Sequence, residues 1–295
     1  MKPPDPVHNN CICEFLVFIR ITDWLHILGL AVLGVAFSSA SSLFTFKTLL
    51  ALTVSALYLA HGFSLNNYFD AAIDQRINKV YFPAGPISRE RFLIFSYSLF
   101  LINCFIASRI SVTMLYFIVA GSLLALIYSA PPLRFKKSTL LNIVLNSLGF
   151  AIIFLIGFIS VGNFISAEAL MMSVLLALVF IPLQIVHQIA HSEADKIENI
   201  LSVYNRYGLQ PTIYLINLSL AGLLLWSLFI GISSLKYAGV FYLTCLFCFS
   251  LFYYLRRVKN SPQAHPEAAA KLRIIIRRIC ILYGTGLLLS FYFIK

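Results

Sequence analysis

Apolar stretches of about twenty residues recur along the whole of this chain, and no other feature limits its fold so strongly. Lipid offers no partner to an unpaired backbone N–H or C=O, so a segment crossing it must satisfy those groups internally or in a closed barrel. The period-two alternation of a membrane β-barrel is absent, which leaves helices. The spacing predicts nine, at roughly 23–42, 47–69, 91–108, 112–129, 140–160, 167–190, 210–231, 237–255 and 279–294. Composition agrees: 60% of the 295 residues are apolar and 11% charged, against roughly 45–50% and 25% in a soluble domain. The expected fold class is an all-α polytopic membrane protein. The opening MKPPDPVHNN is polar and proline-rich, without the basic start and short apolar core of a signal peptide. Residues 1–22 therefore read as a cytoplasmic N-terminal segment and 23–295 as one membrane domain.

The connections divide into two kinds. Those after the first, third, fifth and seventh helices are short and nearly uncharged, and those after the even-numbered helices are longer and polar. Of the 22 Lys and Arg residues, only Lys47, Arg109, Lys236 and Lys295 fall on the short-loop side. The positive-inside rule then places the N-terminus and the even loops in the cytoplasm. The net charge of +11 is accounted for by this topology and by anionic lipid headgroups, without a nucleic-acid partner. The segment 262-PQAHPEAAAKLRIIIRRI-279 reads as a cytoplasmic helix running into the last span, an interfacial anchor. Cys104, Cys245, Cys248 and Cys280 lie within apolar runs and read as packing residues. Cys11 and Cys13 form a C-x-C pair open to metal binding or lipidation.

Three polar clusters interrupt the apolar pattern. In 66-NNYFDAAIDQRINK-79, Asn66, Asp70 and Asp74 step by four, which stacks them along one helical face. Like charges one turn apart repel, and ionisable groups at membrane depth are costly. A divalent cation removes both objections. Mg²⁺ takes oxygen ligands, commonly one or two carboxylates together with substrate phosphates. Arg76 and Lys79 follow directly, which suits a polyanion held by metal on one side and cations on the other. In 128-YSAPPLRFKK-137, Pro131 and Pro132 end the fourth helix, and Arg134, Lys136 and Lys137 add cations. In 187-HQIAHSEADKIEN-199, His187, His191 and Asp195 again step by four.

On these residues the chain resembles the UbiA superfamily of intramembrane prenyltransferases. Asn66, Asp70 and Asp74 match its N-x-x-x-D-x-x-x-D motif. Asn78, Lys79, Pro86, Ile87 and Ser88 match the trailing pattern, and YSAPPLRFKK resembles the Tyr-Ser-x-Pro-Pro-x-Arg-x-Lys loop of members acting on lipophilic acceptors. The second family motif, D-x-x-x-D at the end of helix 6, is altered. Asp195 and the intervening Glu193 are present, but His191 replaces the first aspartate. Imidazole is a poorer Mg²⁺ ligand than a carboxylate; it could instead act as a base or hydrogen-bond a diphosphate.

The resemblance implies nine transmembrane helices around a central cavity that opens to the cytoplasm. It implies Mg²⁺-dependent transfer of a prenyl group from a polyprenyl diphosphate to a lipophilic or aromatic acceptor of quinone-precursor, chlorin, carotenoid or glycerolipid type. Asn66, Asp70, Asp74 and Asp195 would hold the metal. Lys79, Arg134, Lys137, Tyr128, Arg20 and Arg76 would bind the diphosphate, and Asp70, Asp74, Asp195 and His191 would be catalytic. The expected partners are the donor, the acceptor and membrane lipids. A UbiA-type terpene cyclase is the alternative, since it ionises the same donor. A transporter would place its acids near mid-membrane rather than at one face, and a silent binding homologue would lack turnover.

Overall fold

A computed structural model describes residues 11–76, 89–162, 164–197, 200–260 and 265–293. Among these residues every regular element is helical. The helices are α1 (Cys11–Phe18), α2 (Ile21–Trp24), α3 (Gly29–Ser38), α4 (Phe46–Arg76), α5 (Arg89–Ile110), α6 (Val112–Ser129), α7 (Leu141–Val161), α8 (Ala167–Ala190), α9 (Ser192–Ile197), α10 (Val203–Tyr207), α11 (Leu209–Ser233), α12 (Ala238–Lys259) and α13 (His265–Phe293). Nine helical segments among the described residues are long and apolar enough to cross a membrane, as the apolar spacing predicts. Serines set several starts. Ser111 alone separates α5 from α6, and its Oγ accepts from Met114 N at 3.0 Å. Ser166 does the same for α8 through Ala169 N, and Ser202 for α10 through Asn205 N.

The chain forms two compact units. One takes the residues up to Leu28 together with Thr53–Arg134, and the other Gly29–Leu52 with Phe135–Lys295. In the first, α5 packs against α6, and polar ties hold α4 in place. Asn103 Nδ2 donates to Val54 O at 3.1 Å, His61 Nδ1 to Ser96 O at 2.9 Å, and Asn67 Nδ2 to Phe18 O at 2.6 Å. Lipid is as apolar as leucine, so such bonds and close packing carry helix association where hydrophobic burial cannot. Phe18 packs against Phe92 with the rings tilted and their centroids 4.5 Å apart, extending the core around α1.

In the second unit α3 lies against α7 at backbone contact. A Cβ added to Gly34 would meet Phe154 O at 2.0 Å, and one added to Gly157 would meet Ala31 O at 2.0 Å. Each helix thus presents a glycine to the other's main chain, the small-residue route to close packing in membranes. Ala151–Ser160 of α7 is buried throughout, and α8 packs on α7, α11 and α13.

Two helices depart from their expected bounds in informative ways. α4 runs to Arg76 rather than ending near 69, so Asp70 and Asp74 belong to the helix itself. The first candidate span begins at Phe15, not 23, and includes Arg20 and Asp23, whose charges meet each other. Arg20 Nη2 lies 2.6 Å from Asp23 Oδ2. Arg20 also breaks the helix there, with φ at 55° in the left-handed region. The helix foreseen within 262–279 runs unbroken into the last span as α13.

Candidate active site

The first unit carries the acidic face of α4. Asn66, Asp70 and Asp74 all occupy helical backbone positions, at the register predicted. Asp70 is 5% exposed although it lies at the end of an apolar span. Its charge is met by Arg134, whose Nη2 donates to Oδ1 at 2.8 Å. A buried ion must be paired or be lost as a charge, so this bond explains how the carboxylate is tolerated. Arg134 reaches it from a loop that leaves α6 at Ser129, contains the cis Pro131–Pro132 bond, and closes with Arg134 N donating to Ala130 O at 2.9 Å. The guanidinium has left-handed backbone beneath it, φ 40°, and its Nε is buried without a hydrogen-bond partner. An orphaned donor and a costly backbone conformation thus fall on one residue.

Around this pair sit other expected residues. Ser129 Oγ donates to Asn66 Oδ1 at 3.3 Å, tying the end of α6 to the motif. Tyr128 is half-buried beside it in the chain. Arg20 is engaged with Asp23 and lies over the Phe63 ring, 5.4 Å from its centroid. Arg20 and Arg134 are the two non-glycine residues with positive φ among those described. Arg89 Nη2 donates to Tyr68 O at 3.1 Å and lies over the Tyr68 ring. The side chains of Asp74 and Arg76, and the whole of Asn78, Lys79, Pro86, Ile87 and Ser88, fall outside the described residues, as do the side chains of Cys11 and Cys13.

The second unit carries the end of α8. Here the helix yields at His191, which has φ −106° and ψ 9°, and resumes as α9 at Ser192. The bond from Asp195 N to His191 O, 2.9 Å, carries the four-residue spacing across that break. His187 is exposed, and its ring lies 4.5 Å from that of half-buried His191. His191 Nε2 accepts a short hydrogen bond from Arg273 Nη1 on α13. Asp195 is half-buried and Glu193 exposed. Asn205 Nδ2 donates to Ser192 O at 2.8 Å, and Gln188 Oε1 accepts from Val203 N at 3.3 Å, so α10 braces this corner. Lys137 is half-buried in the turn Phe135–Lys137, while Lys136 is buried and its carbonyl accepts from Asn142.

Among the described residues no three His, Cys, Asp or Glu side chains group closely enough to hold a metal ion. The oxygen atoms of Asn66 and Asp70, one turn apart on α4, nevertheless suit a hard cation, and Arg134 already occupies that carboxylate with positive charge. Three residues at these positions were not foreseen. Ser129 lies in the matched loop motif but carries no charge to suggest a role, while Arg273 and Arg89 are submerged in the general excess of cations.

The profile of the UbiA prenyltransferase family matches residues 27–276. No curated protein matches the chain. Among solved structures, digeranylgeranylglyceryl phosphate synthase is similar at 21% identity and a TM-score of 0.75, over 95% of this chain and 98% of its own. A UbiA homolog from Archaeoglobus fulgidus bound to GPP and Mg²⁺ is similar at 17% identity and a TM-score of 0.72, covering 93% and 99%. A UbiA homolog from Aeropyrum pernix K1 follows at 15% and 0.69, covering 92% and 98%. Fold, span number and the matched profile converge, and this integral membrane protein belongs to the UbiA prenyltransferase family.

Proposed function

We propose that the protein transfers a prenyl group from a polyprenyl diphosphate to a lipophilic or aromatic acceptor, releasing diphosphate, with Mg²⁺ as its cofactor. The observation that carries this is the buried Asp70–Arg134 pair on a helix face also bearing Asn66 and Asp74. A transport path or a purely structural tie does not call for three oxygen-bearing residues in register with a strained arginine. The binding of GPP and Mg²⁺ by the Archaeoglobus relative supports the same chemistry.

Asn66, Asp70 and Asp74, with Asp195 by its family motif, would hold the metal. When bound, Mg²⁺ neutralises and orients the diphosphate oxygens as a Lewis acid and template. Arg134, Lys79 and Lys137, with Arg20 and Arg76, stabilise the charge that grows on the leaving diphosphate, and Tyr128 lines its approach. The C1–O bond of the donor breaks with its electron pair going to the diphosphate. The acceptor's nucleophilic atom bonds to C1, and its proton passes to the departing diphosphate or to solvent. Apolar helices keep water from quenching the allylic cation. These groups sit on the cytoplasmic side by the charge asymmetry of the loops.

The test is release of labelled diphosphate from geranylgeranyl diphosphate by the purified protein, with Mg²⁺ and a membrane lipid extract. Release that requires Mg²⁺ and acceptor, and that disappears in Asp70→Ala, is the expected result. No release at any prenyl chain length contradicts the proposal, and a cyclised hydrocarbon formed without acceptor identifies a cyclase instead.

A further inference from the structure

We propose that Arg277 and Arg278 form a binding site for the phosphate of an anionic phospholipid, in the leaflet that holds the start of α13. Both lie within the last candidate span, His265–Phe293. Both are exposed, as are Ile274, Ile281 and Leu282 around them, while Ile276 and Tyr283 are buried. The two arginines therefore interrupt the outward, apolar stripe of a helix built to cross lipid. The hairpin of α12 and α13 shows how deep they sit. A Cβ added to Gly286 would meet the Leu243 side chain at 2.8 Å, and one added to Gly239 would meet the Ser290 hydroxyl at 3.1 Å. These contacts share one antiparallel register, in which each step forward on α13 is a step back on α12. Arg277 and Arg278 then come level with Phe252 and Leu251. That is the membrane side of Tyr253 and Tyr254, aromatic residues of the kind that gather at the membrane surface. It is also about 6 Å inside the level of Arg256.

A charge at that depth is costly unless something meets it. Among the described residues neither arginine has a hydrogen bond, an ion pair or a ring contact. The acid of the same helix, Glu267, precedes Arg277 by ten residues, about 15 Å along the axis. The cations of α12 nearby are engaged with their own helix. Arg257 Nη2 donates to Tyr253 Oη at 2.7 Å, and Arg256 lies over the Phe252 ring, 5.7 Å from its centroid. Helical side chains tilt toward the N-terminus, which for α13 is the end at the membrane surface. The guanidinia of Arg277 and Arg278 thus lean out of the hydrocarbon and into the layer of lipid phosphates. A guanidinium presents a planar fork of donors that matches two phosphate oxygens. Two such cations with no acid beside them favour a headgroup of net negative charge over a zwitterionic one.

The test is the affinity of the full-length protein for its first phosphatidylglycerol molecule, measured by native mass spectrometry from detergent, with phosphatidylcholine as the comparison lipid. Arg277→Gln and Arg278→Gln should each weaken phosphatidylglycerol binding by about fivefold, and the double variant by roughly twentyfold. Phosphatidylcholine binding should stay as it is in the wild type. Replacing both residues with lysine keeps the charge but loses the forks, and should retain part of the preference. Lys259→Gln, exposed at the end of α12 and on the water side of the two tyrosines, should bind as the wild type does. Wild-type phosphatidylglycerol affinity in the double glutamine variant overturns the proposal. So does an equal loss in Lys259→Gln, which would mean a diffuse attraction rather than a site, or an equal loss for phosphatidylcholine. If the double variant does not fold, the two single variants decide, and wild-type affinity in both overturns the assignment. If the substitutions abolish a dimer and leave lipid binding unchanged, a second copy of the chain covers this stripe and the lipid assignment falls.

Discussion

Two ends of helices in this protein use the same spacing and present acceptors of different charge to an arginine. At the end of α4, Asp70 meets Arg134 and the two charges cancel. At the end of α8, Arg273 donates to His191, a neutral acceptor at that nitrogen. In both places a polar residue at a four-residue step receives an arginine from a distant part of the chain. What differs is whether the acceptor carries a charge of its own. A carboxylate paired with arginine can exchange that partner for a metal, because the metal offers more positive charge to the same oxygens. An imidazole paired with arginine cannot make that exchange without giving up the bond that aims the arginine. The lesson is that position along a helix face does not by itself fix what a polar residue can bind; the charge of the acceptor enters as well.

The largest effect should come from erasing the α4 side of this comparison. Asp70→Ala should lower turnover on the order of a thousandfold, read as diphosphate release at saturating Mg²⁺. Arg134→Gln should be next. It should raise the donor KM by about ten- to hundredfold while tightening Mn²⁺ binding measured without diphosphate, because the Arg134 guanidinium no longer competes for Asp70. If both metal and donor affinity fall together, Arg134 is only a structural partner and the exchange described above is wrong. His191→Asp turns the α8 end into a copy of the α4 end. It should tighten Mn²⁺ binding several-fold, since a carboxylate is a better ligand for a hard cation than imidazole; unchanged Mn²⁺ affinity would mean that position 191 is not a ligand position. The smallest effect is expected for Ser129→Ala, about two- to tenfold in turnover, since the hydroxyl only steadies Asn66 through a long bond of 3.3 Å.

Much of this architecture is legible before any coordinates, for a physical reason. Bilayer thickness dictates the length of each apolar run, so span number follows from counting, and helices such as Val112–Ser129 and Ala167–Ala190 fall where expected. The first helix is harder to place, because Arg20 and Asp23 look like an exit into water until their pairing at 2.6 Å is known. The α3–α7 contact through Gly34 and Gly157 is equally hidden, since glycines inside apolar runs do not announce which partner they face. The register of Asn66, Asp70 and Asp74 survives because it is local to one helix. Partners brought from elsewhere do not survive in this way. Arg134 stands out only through its proline-rich loop, and Arg273 is one of several cations that look alike until burial separates it from Lys271, Arg277 and Arg278.

The central claim is that the face of α4 bearing Asn66, Asp70 and Asp74 binds a divalent cation together with a diphosphate. Mn²⁺ titration followed by electron paramagnetic resonance tests it most directly, with and without geranylgeranyl S-thiolodiphosphate, in wild-type protein and in Asp70→Ala. The account predicts Mn²⁺ binding that tightens at least about tenfold when the diphosphate is present, as expected for a cation bridging carboxylate and phosphate oxygens, and that is lost in the variant. Mn²⁺ binding that is unchanged by Asp70→Ala, or indifferent to the diphosphate, would contradict it.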